Sequence, residues 1–205
     1  LGHAAFFGIG AYTSAILYTG SGFPFWISVP MAAVVAGIVG VLLGIPCLRV
    51  RDDFLAITTM GINFVVEAIF LYLPFFGGAM GIGGINLPNW FGREMTKPEY
   101  FILILVVFIL LLFLDRRMGR SWIGLAWASI REDEQAAGAM GVDVVRFKVL
   151  AFILGSAIAG LAGGFYAHFL TFIMPQNFGF GQSIVVLSMV VFGGIGTRWG
   201  PIIGA

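Results

Sequence analysis

Two long stretches of this 205-residue chain, residues 4–48 and 149–197, contain no Asp, Glu, Lys or Arg. One bilayer crossing takes roughly 20 apolar residues, so each stretch can hold two crossings with a turn between them. Soluble domains carry about a quarter of their residues as charges, whereas here 10% are charged and 60% hydrophobic. The chain therefore reads as membrane-embedded. In lipid every backbone N–H and C=O must be satisfied internally, which leaves helices or a closed barrel. Barrel strands alternate polarity every second residue, and the run Phe101-Ile102-Leu103-Ile104-Leu105-Val106-Val107 does not.

Gly, Pro and charge divide the chain into six apolar segments, at about residues 3–19, 25–48, 54–76, 100–114, 149–172 and 183–205. The expected fold is all-α, a polytopic helical membrane protein with about six transmembrane helices. The first segment has no basic region ahead of it and no soluble domain behind it, so it is not a signal peptide. Leu1 and Ala205 both lie inside apolar segments, so a fragment of a longer membrane protein is expected. Cys47 is the single cysteine and cannot form an internal disulfide. A net charge of +1 with no basic patch interleaved with aromatics gives no reason to expect nucleic acid.

Lys and Arg concentrate on the cytoplasmic side of inner-membrane proteins. The connections at 49–53 and 115–148, with the region of Arg198, hold nine of the eleven basic residues. The alternate connections (20–24, 77–99 and 173–182) hold only Arg93 and Lys97. The basic set is expected in the cytoplasm. Small residues at four-residue spacing let helices approach closely in lipid. Such ladders appear at Gly40 and Gly44, at Ser156, Gly160 and Gly164, and at Gly196, Gly200 and Gly204.

Eleven of the 21 charged residues fall within 115–148. The stretch is too long for a simple turn and is patterned with Trp122, Ile123, Leu125, Trp127 and Ile130. A short amphipathic helix is expected to enter at Asp133, whose carboxylate can cap exposed N–H groups. It would run through Ala136, Ala137 and Met140 and stop at Gly141, after which Asp143 caps the next membrane helix. Its small face suits a groove on another protein. The alternative is a helix lying on lipid headgroups, which favours bulky apolar residues and Lys or Arg over Ala and an acidic cluster.

These residues bring the chain to a known family. It closely resembles the M-type permease subunit of ATP-binding-cassette importers for branched-chain amino acids. The matching text is Leu1-Gly2-His3-Ala4-Ala5-Phe6-Phe7-Gly8-Ile9-Gly10-Ala11-Tyr12-Thr13, Leu48-Arg49-Val50-Arg51-Asp52-Asp53-Phe54-Leu55-Ala56-Ile57, Ala128-Ser129-Ile130-Arg131-Glu132-Asp133-Glu134 and Leu187-Ser188-Met189-Val190-Val191-Phe192-Gly193-Gly194-Ile195-Gly196-Thr197. It departs from the family at Gly61-Ile62-Asn63-Phe64, where Gly-Phe-Gly-Glu is usual. The resemblance implies that Arg131, Glu132, Asp133, Glu134, Ala136, Ala137, Gly138 and Gly141 belong to the loop that docks on a cytoplasmic ATP-binding subunit. It also implies missing helices at each end, a second, related permease subunit, an extracytoplasmic solute-binding protein and a place in a bacterial or archaeal cytoplasmic membrane. The implied cargo is a branched-chain amino acid or a related small solute such as another amino acid, urea or a short amide.

Glu67 is the single acid inside a predicted span. An intramembrane charge costs at least about 2.5–3.5 kcal/mol and often marks a pathway. Glu67, Asn63 and Thr59 are candidates for a translocation path, or for structural pairing with another helix. His3 and His168 stand alone, without metal-ligand spacing, and suit buried polar packing. No catalytic cluster is visible. Neither Lys97 nor Lys148 follows a glycine, so the phosphate-binding loop G-x-x-x-x-G-K-[ST] is absent. No cofactor is expected on this chain, and ATP and Mg would sit on the partner ATPase. A stand-alone ion-coupled transporter would favour several intramembrane ionisable groups, and a membrane enzyme would show clustered catalytic residues. The charge asymmetry makes a direct prediction: a tag inserted at Gly119 is reached only from the cytoplasm and one at Asn89 only from outside. Accessibility of both from one side would overturn the topology.

Overall fold

The computed structural model describes residues 2–47, 52–90, 93–194 and 204. Helices occupy all six predicted segments: α1 (His3–Thr19), α2 (Phe25–Cys47), α3 (Asp52–Tyr72), α4 (Lys97–Gly119), α7 (Val144–Leu170) and α8 (Phe180–Gly193). Two shorter helices, α5 (Trp122–Glu132) and α6 (Glu134–Ala139), lie between α4 and α7. Among the described residues four spans are long and apolar enough to cross a membrane: Phe25–Gly44, Lys97–Gly119, Val144–Leu170 and Pro175–Gly193. A fifth is reached if Ile57–Tyr72 and Pro74–Met80, bent by 85°, form one span. The expected six is thus an approximate count. Helix α1 has 17 residues, a length of ~25 Å at the short limit for a crossing.

Helix ends also move relative to expectation. Expected over 100–114, α4 starts at Lys97, with Pro98 in its first turn and Glu99 reaching back to accept the Thr96 amide at 2.9 Å. It continues through Asp115, Arg116 and Arg117 to Gly119, because long basic side chains extend from a helix into the interface and complement the negative end of its dipole. Helix α5 is an addition to the expected elements. Its signal is the recurrence of Trp122, Ala126 and Ile130, with Ile123 and Trp127, at i, i+4 and i+8, set off from α4 by the turn after Gly119.

The centre of the bundle is α1, α2 and α7, packed backbone against backbone. A Cβ on Gly10 would overlap the Gly160 carbonyl, one on Gly160 would overlap the Ala36 Cβ, and one on Gly163 would overlap the Phe7 carbonyl. Ser156 fills the gap above Gly40, and Gly164 lies against Ala32, Ser14 and Val29. Within the third predicted ladder, Gly196 and Gly200 lie outside the described residues. A buried polar chain crosses the same centre. The Oγ of Ser14 donates to Ser28 at 3.3 Å and lies 3.1 Å from His168 Nε2, while His168 Nδ1 lies 2.7 Å from the Asn86 carbonyl. His168 is thus fully buried with both nitrogens partnered, the packing role expected for it.

An aromatic cluster holds α3 and the turn Pro175–Phe178 onto α1. Tyr12 stacks on Phe70 with centroids 4.2 Å apart, and Phe76 and Phe178 meet its edges. On the opposite side Tyr100 donates to the Phe165 carbonyl at 2.7 Å and is the one buried residue of α4. Strand β1 (Ile82–Gly83) pairs antiparallel with β4 (Phe172–Ile173), and β2 (Asn89–Trp90) with β3 (Arg93–Glu94). The first pair joins the 77–99 connection to the end of α7, so two connections grouped by their scarcity of Lys and Arg meet at one end of the bundle.

Close packing at Gly163 gives a test. Gly163→Leu forces side-chain atoms into the Phe7 backbone, and overpacking of this kind costs about 1–3 kcal/mol or more. It should sharply lower the unfolding temperature of the detergent-purified protein. Gly155→Leu, where an added carbon meets nothing within 4 Å, should leave it unchanged.

Candidate functional site

The corner between α5 and α7 is built by three capping devices in eleven residues. Asp133 takes an extended backbone (φ −155°, ψ 112°) and its Oδ1 accepts from the amides of Gln135 at 2.8 Å and Ala136 at 3.0 Å. Those are donors that the first turn of α6 leaves unsatisfied. At the other end the Val142 amide bonds the Ala137 carbonyl at 3.1 Å and the Gly141 amide bonds the Gly138 carbonyl at 3.0 Å. This is a Schellman closure, and it requires Gly141 at φ +89°, a conformation that residues with a Cβ adopt at a cost. Asp143 then starts α7 by accepting from the Arg146 amide at 3.1 Å.

The corner is locked to α7. Trp127 Nε1 donates to the Phe147 carbonyl at 2.9 Å, and the Trp122 ring lies 5.7 Å from that of Phe147. Glu134 forms an ion pair with Lys148, both partly exposed. Gly138 faces Val144 across the α6–α7 turn. Arg131 and Glu132, at the end of α5, are exposed.

The expected small face of α6 is divided by the fold. Ala137 is 3% exposed, packed within its own chain, whereas Met140 is 87% exposed and Ala136 is exposed as well. Ala136, Ala137 and Met140 are therefore not one outward surface. Ala137 anchors α6 against the chain, because a six-residue helix between two others must bury its own inner side. The surface that a partner could meet is Ala136 and Met140, flanked by Arg131, Glu132 and Asp133.

The second group lies on α3. Thr59, Asn63 and Glu67 follow at i, i+4 and i+8, one stripe of a helix. Thr59 and Asn63 are buried and Glu67 is half-buried. Asn63 is 0% exposed, and neither its Nδ2 nor its Oδ1 has a hydrogen-bond partner among the described residues. Tyr12 Oη, on the facing helix α1, is likewise buried and unpartnered. The Glu67 carboxylate sits beside Gly179, with both oxygens 3.4 Å from the point that a Gly179 Cβ would occupy. Gly179 is the N-cap of α8, so the carboxylate faces the positive end of a helix dipole. The placement of Tyr12 could not be read from its sequence neighbours, since it depends on which helix faces α1.

The family described as "Branched-chain amino acid transport system / permease component" matches residues 1–205. The chain belongs to this family. It is 35% identical over 230 residues to the high-affinity branched-chain amino acid transport system permease protein LivM of Salmonella typhimurium, covering all of this chain and 54% of that protein. A probable branched-chain amino acid transport permease protein LivM of Methanocaldococcus jannaschii is 25% identical over 181 residues, 87% of this chain and 52% of its own length. The LivH permease protein of the Salmonella typhimurium system is 32% identical over 114 residues, 56% of this chain and 36% of its own. The chain spans about half the length of the LivM proteins it matches. No solved structure matches. As a member of this permease family, the chain is an all-α, multi-pass membrane protein.

Asn63 gives the sharpest test of the polar stripe. A buried, unpartnered amide costs about 1–3 kcal/mol, so Asn63→Leu should leave the unfolding temperature unchanged or raised. If the stripe meets a polar solute, the same change should lower uptake at least tenfold in cells carrying the complete transporter. Normal uptake, or a protein that no longer folds, would assign Asn63 to structure.

Proposed function

We propose that this chain is part of the permease component of an ATP-binding-cassette importer, carrying no enzymatic activity of its own. A separate cytoplasmic ATPase would bind ATP and Mg and press on the 115–148 corner. A second, related permease chain and an extracytoplasmic solute-binding protein would complete the transporter in a bacterial or archaeal cytoplasmic membrane. The cargo is a branched-chain amino acid, the solute class in the names of the LivM and LivH relatives. Another amino acid, urea or a short amide fits the same reading.

The observation that carries this proposal is the mechanical continuity of α6 with the bundle centre. Helix α6 has no core of its own, yet Glu134–Lys148, Trp127–Phe147 and the Gly138–Val144 contact fix it and its neighbour α5 to the start of α7. Helix α7 in turn meets α1 and α2 through glycine contacts that leave no slack. Force on Ala136 and Met140 is thereby delivered to α7 as a rigid element. Packed interfaces respond to such force by switching between discrete arrangements rather than deforming continuously. Helix α1 lies between α7 and α3, so a shift of α7 reaches the Thr59–Asn63–Glu67 stripe through the Tyr12–Phe70 stack.

Met140→Glu tests this coupling. The side chain is exposed, so the protein should fold normally, while a charge placed in a protein interface costs on the order of 2–5 kcal/mol. Substrate-stimulated ATP hydrolysis and co-purification of the ATPase should both be lost. Ala137→Glu should act differently, by driving a carboxylate into the seat of α6 and raising amide exchange over 134–139. Glu94→Gln, at the other end of the bundle, should leave both readouts unchanged. Full ATPase stimulation in Met140→Glu would remove α6 as the coupling element.

A further inference from the structure

Helix α4 is held to the bundle near its start, through Tyr100, Leu103 and Ile104, and most of the rest of its surface is uncovered. Ile109, Leu110 and Phe113 are among its exposed apolar side chains, Phe113 at 68%. Within two turns of Phe113 the helix carries Arg116 and Arg117, and Arg120 caps its end. With Phe113 and Ser121 these three arginines line a cleft of about 420 Å³ at the turn into α5, within the ~300–1,000 Å³ of small-molecule sites. The apolar surface resumes beyond the turn, where Trp122 and Leu125 of α5 are exposed.

None of the three guanidinium groups makes an ion pair or side-chain hydrogen bond among the described residues. Asp115 is exposed and does not line the cleft. The Ser121 hydroxyl donates to the Met118 carbonyl at 2.6 Å, so donors into the cleft come from the arginines. Arginine near a helix C-terminus is favoured by the dipole alone, which accounts for each one singly. It does not supply an acceptor for three cations that are unpaired among the described residues and line one cleft, where like charges repel.

A cationic cleft between two exposed apolar surfaces has the layout of a phospholipid: charge at the headgroup and hydrocarbon beside it. Guanidinium forks match phosphate oxygens bidentately, and basic pockets beside membrane helices hold anionic headgroups. We propose that the cleft binds the phosphodiester headgroup of an anionic phospholipid, with Arg116, Arg117 and Arg120 on the phosphate and Phe113 against the acyl chain. The site is independent of the importer reading, since it needs only that α4 spans a membrane. Free phosphate shares the headgroup chemistry but makes no use of Phe113 or the flanking apolar surface.

The test measures the unfolding temperature of the full-length protein in detergent as dioleoyl phosphatidylglycerol, dioleoyl phosphatidylcholine or inorganic phosphate is added. Phosphatidylglycerol should stabilise and the other two should not. The Arg116→Gln/Arg117→Gln/Arg120→Gln variant should start from the same unfolding temperature and bind phosphatidylglycerol about a hundredfold more weakly. Equal stabilisation of variant and parent, or equal stabilisation by phosphatidylcholine, overturns the site. Full stabilisation by phosphate alone makes it a free-phosphate site and overturns the lipid. Loss of the ATPase subunit from the variant with phosphatidylglycerol binding intact makes the cleft a protein contact and also overturns it. If the triple variant does not fold, native mass spectrometry of Arg117→Gln decides: less retained phosphatidylglycerol than the parent supports the site, and equal retention overturns it.

Discussion

Backbone contact between α1, α2 and α7 sets the geometry on which the rest of the molecule hangs. In lipid no hydrophobic force draws apolar helices together, so their attraction must come from close packing and polar contacts. Gly10, Gly160 and Gly163 allow that packing by presenting bare backbone to a neighbouring helix. The Ser14–Ser28–His168 chain adds the polar contribution at the same place and reaches Asn86 in the connection beyond α3. The centre is therefore both dense and directional. Helices outside it can be attached by fewer contacts, and α4 depends largely on Tyr100.

Each candidate functional region is positioned from this centre. The α5–α6 corner projects from α7, whose first turns receive the Trp127 hydrogen bond and the Glu134 ion pair. The polar stripe of α3 lies against the opposite side of α1, held by stacking of Tyr12 on Phe70. These attachments differ in kind. The corner is held by caps and polar ties outside the apolar region, where water competes and exposed ion pairs are weak. The stripe is held through the stacking of Tyr12 on Phe70, and the buried Asn63 amide on the same helix has no partner among the described residues. The centre thus carries the exposed α5–α6 corner on one side and the buried Asn63 amide on the other.

The cleft at the end of α4 follows from the same hierarchy. A helix that is little covered by its own chain exposes its flank to lipid, and its terminal arginines then meet the headgroup layer rather than another helix. Among the described residues, buried polar groups thus fall into two kinds: the Ser14–Ser28–His168 chain is partnered in the bundle centre, and the Asn63 amide and Tyr12 hydroxyl are not; the arginines of the cleft lie at the boundary.

Much of this was written in the sequence. Charge-free stretches, the lopsided distribution of Lys and Arg, and the caps at Asp133, Gly141 and Asp143 are local signals, and local chemistry fixes them: hydrocarbon length demands about 20 apolar residues, and a helix end demands a partner for its free N–H and C=O groups. Those local signals place the six long helices and the start of α6 but not α5, and the polar stripe at Thr59, Asn63 and Glu67 was visible from its spacing. Facing was decided only by the tertiary structure. Whether Ala137 points outward or inward depends on where α5 and α7 lie, and the structure turned it inward beside an outward Met140. Likewise Tyr12 became a neighbour of Phe70 and Glu67 came to lie beside the start of α8. Each of these depends on the direction in which one helix crosses another, which is set by side-chain packing across the contact and not by the sequence on either side of it.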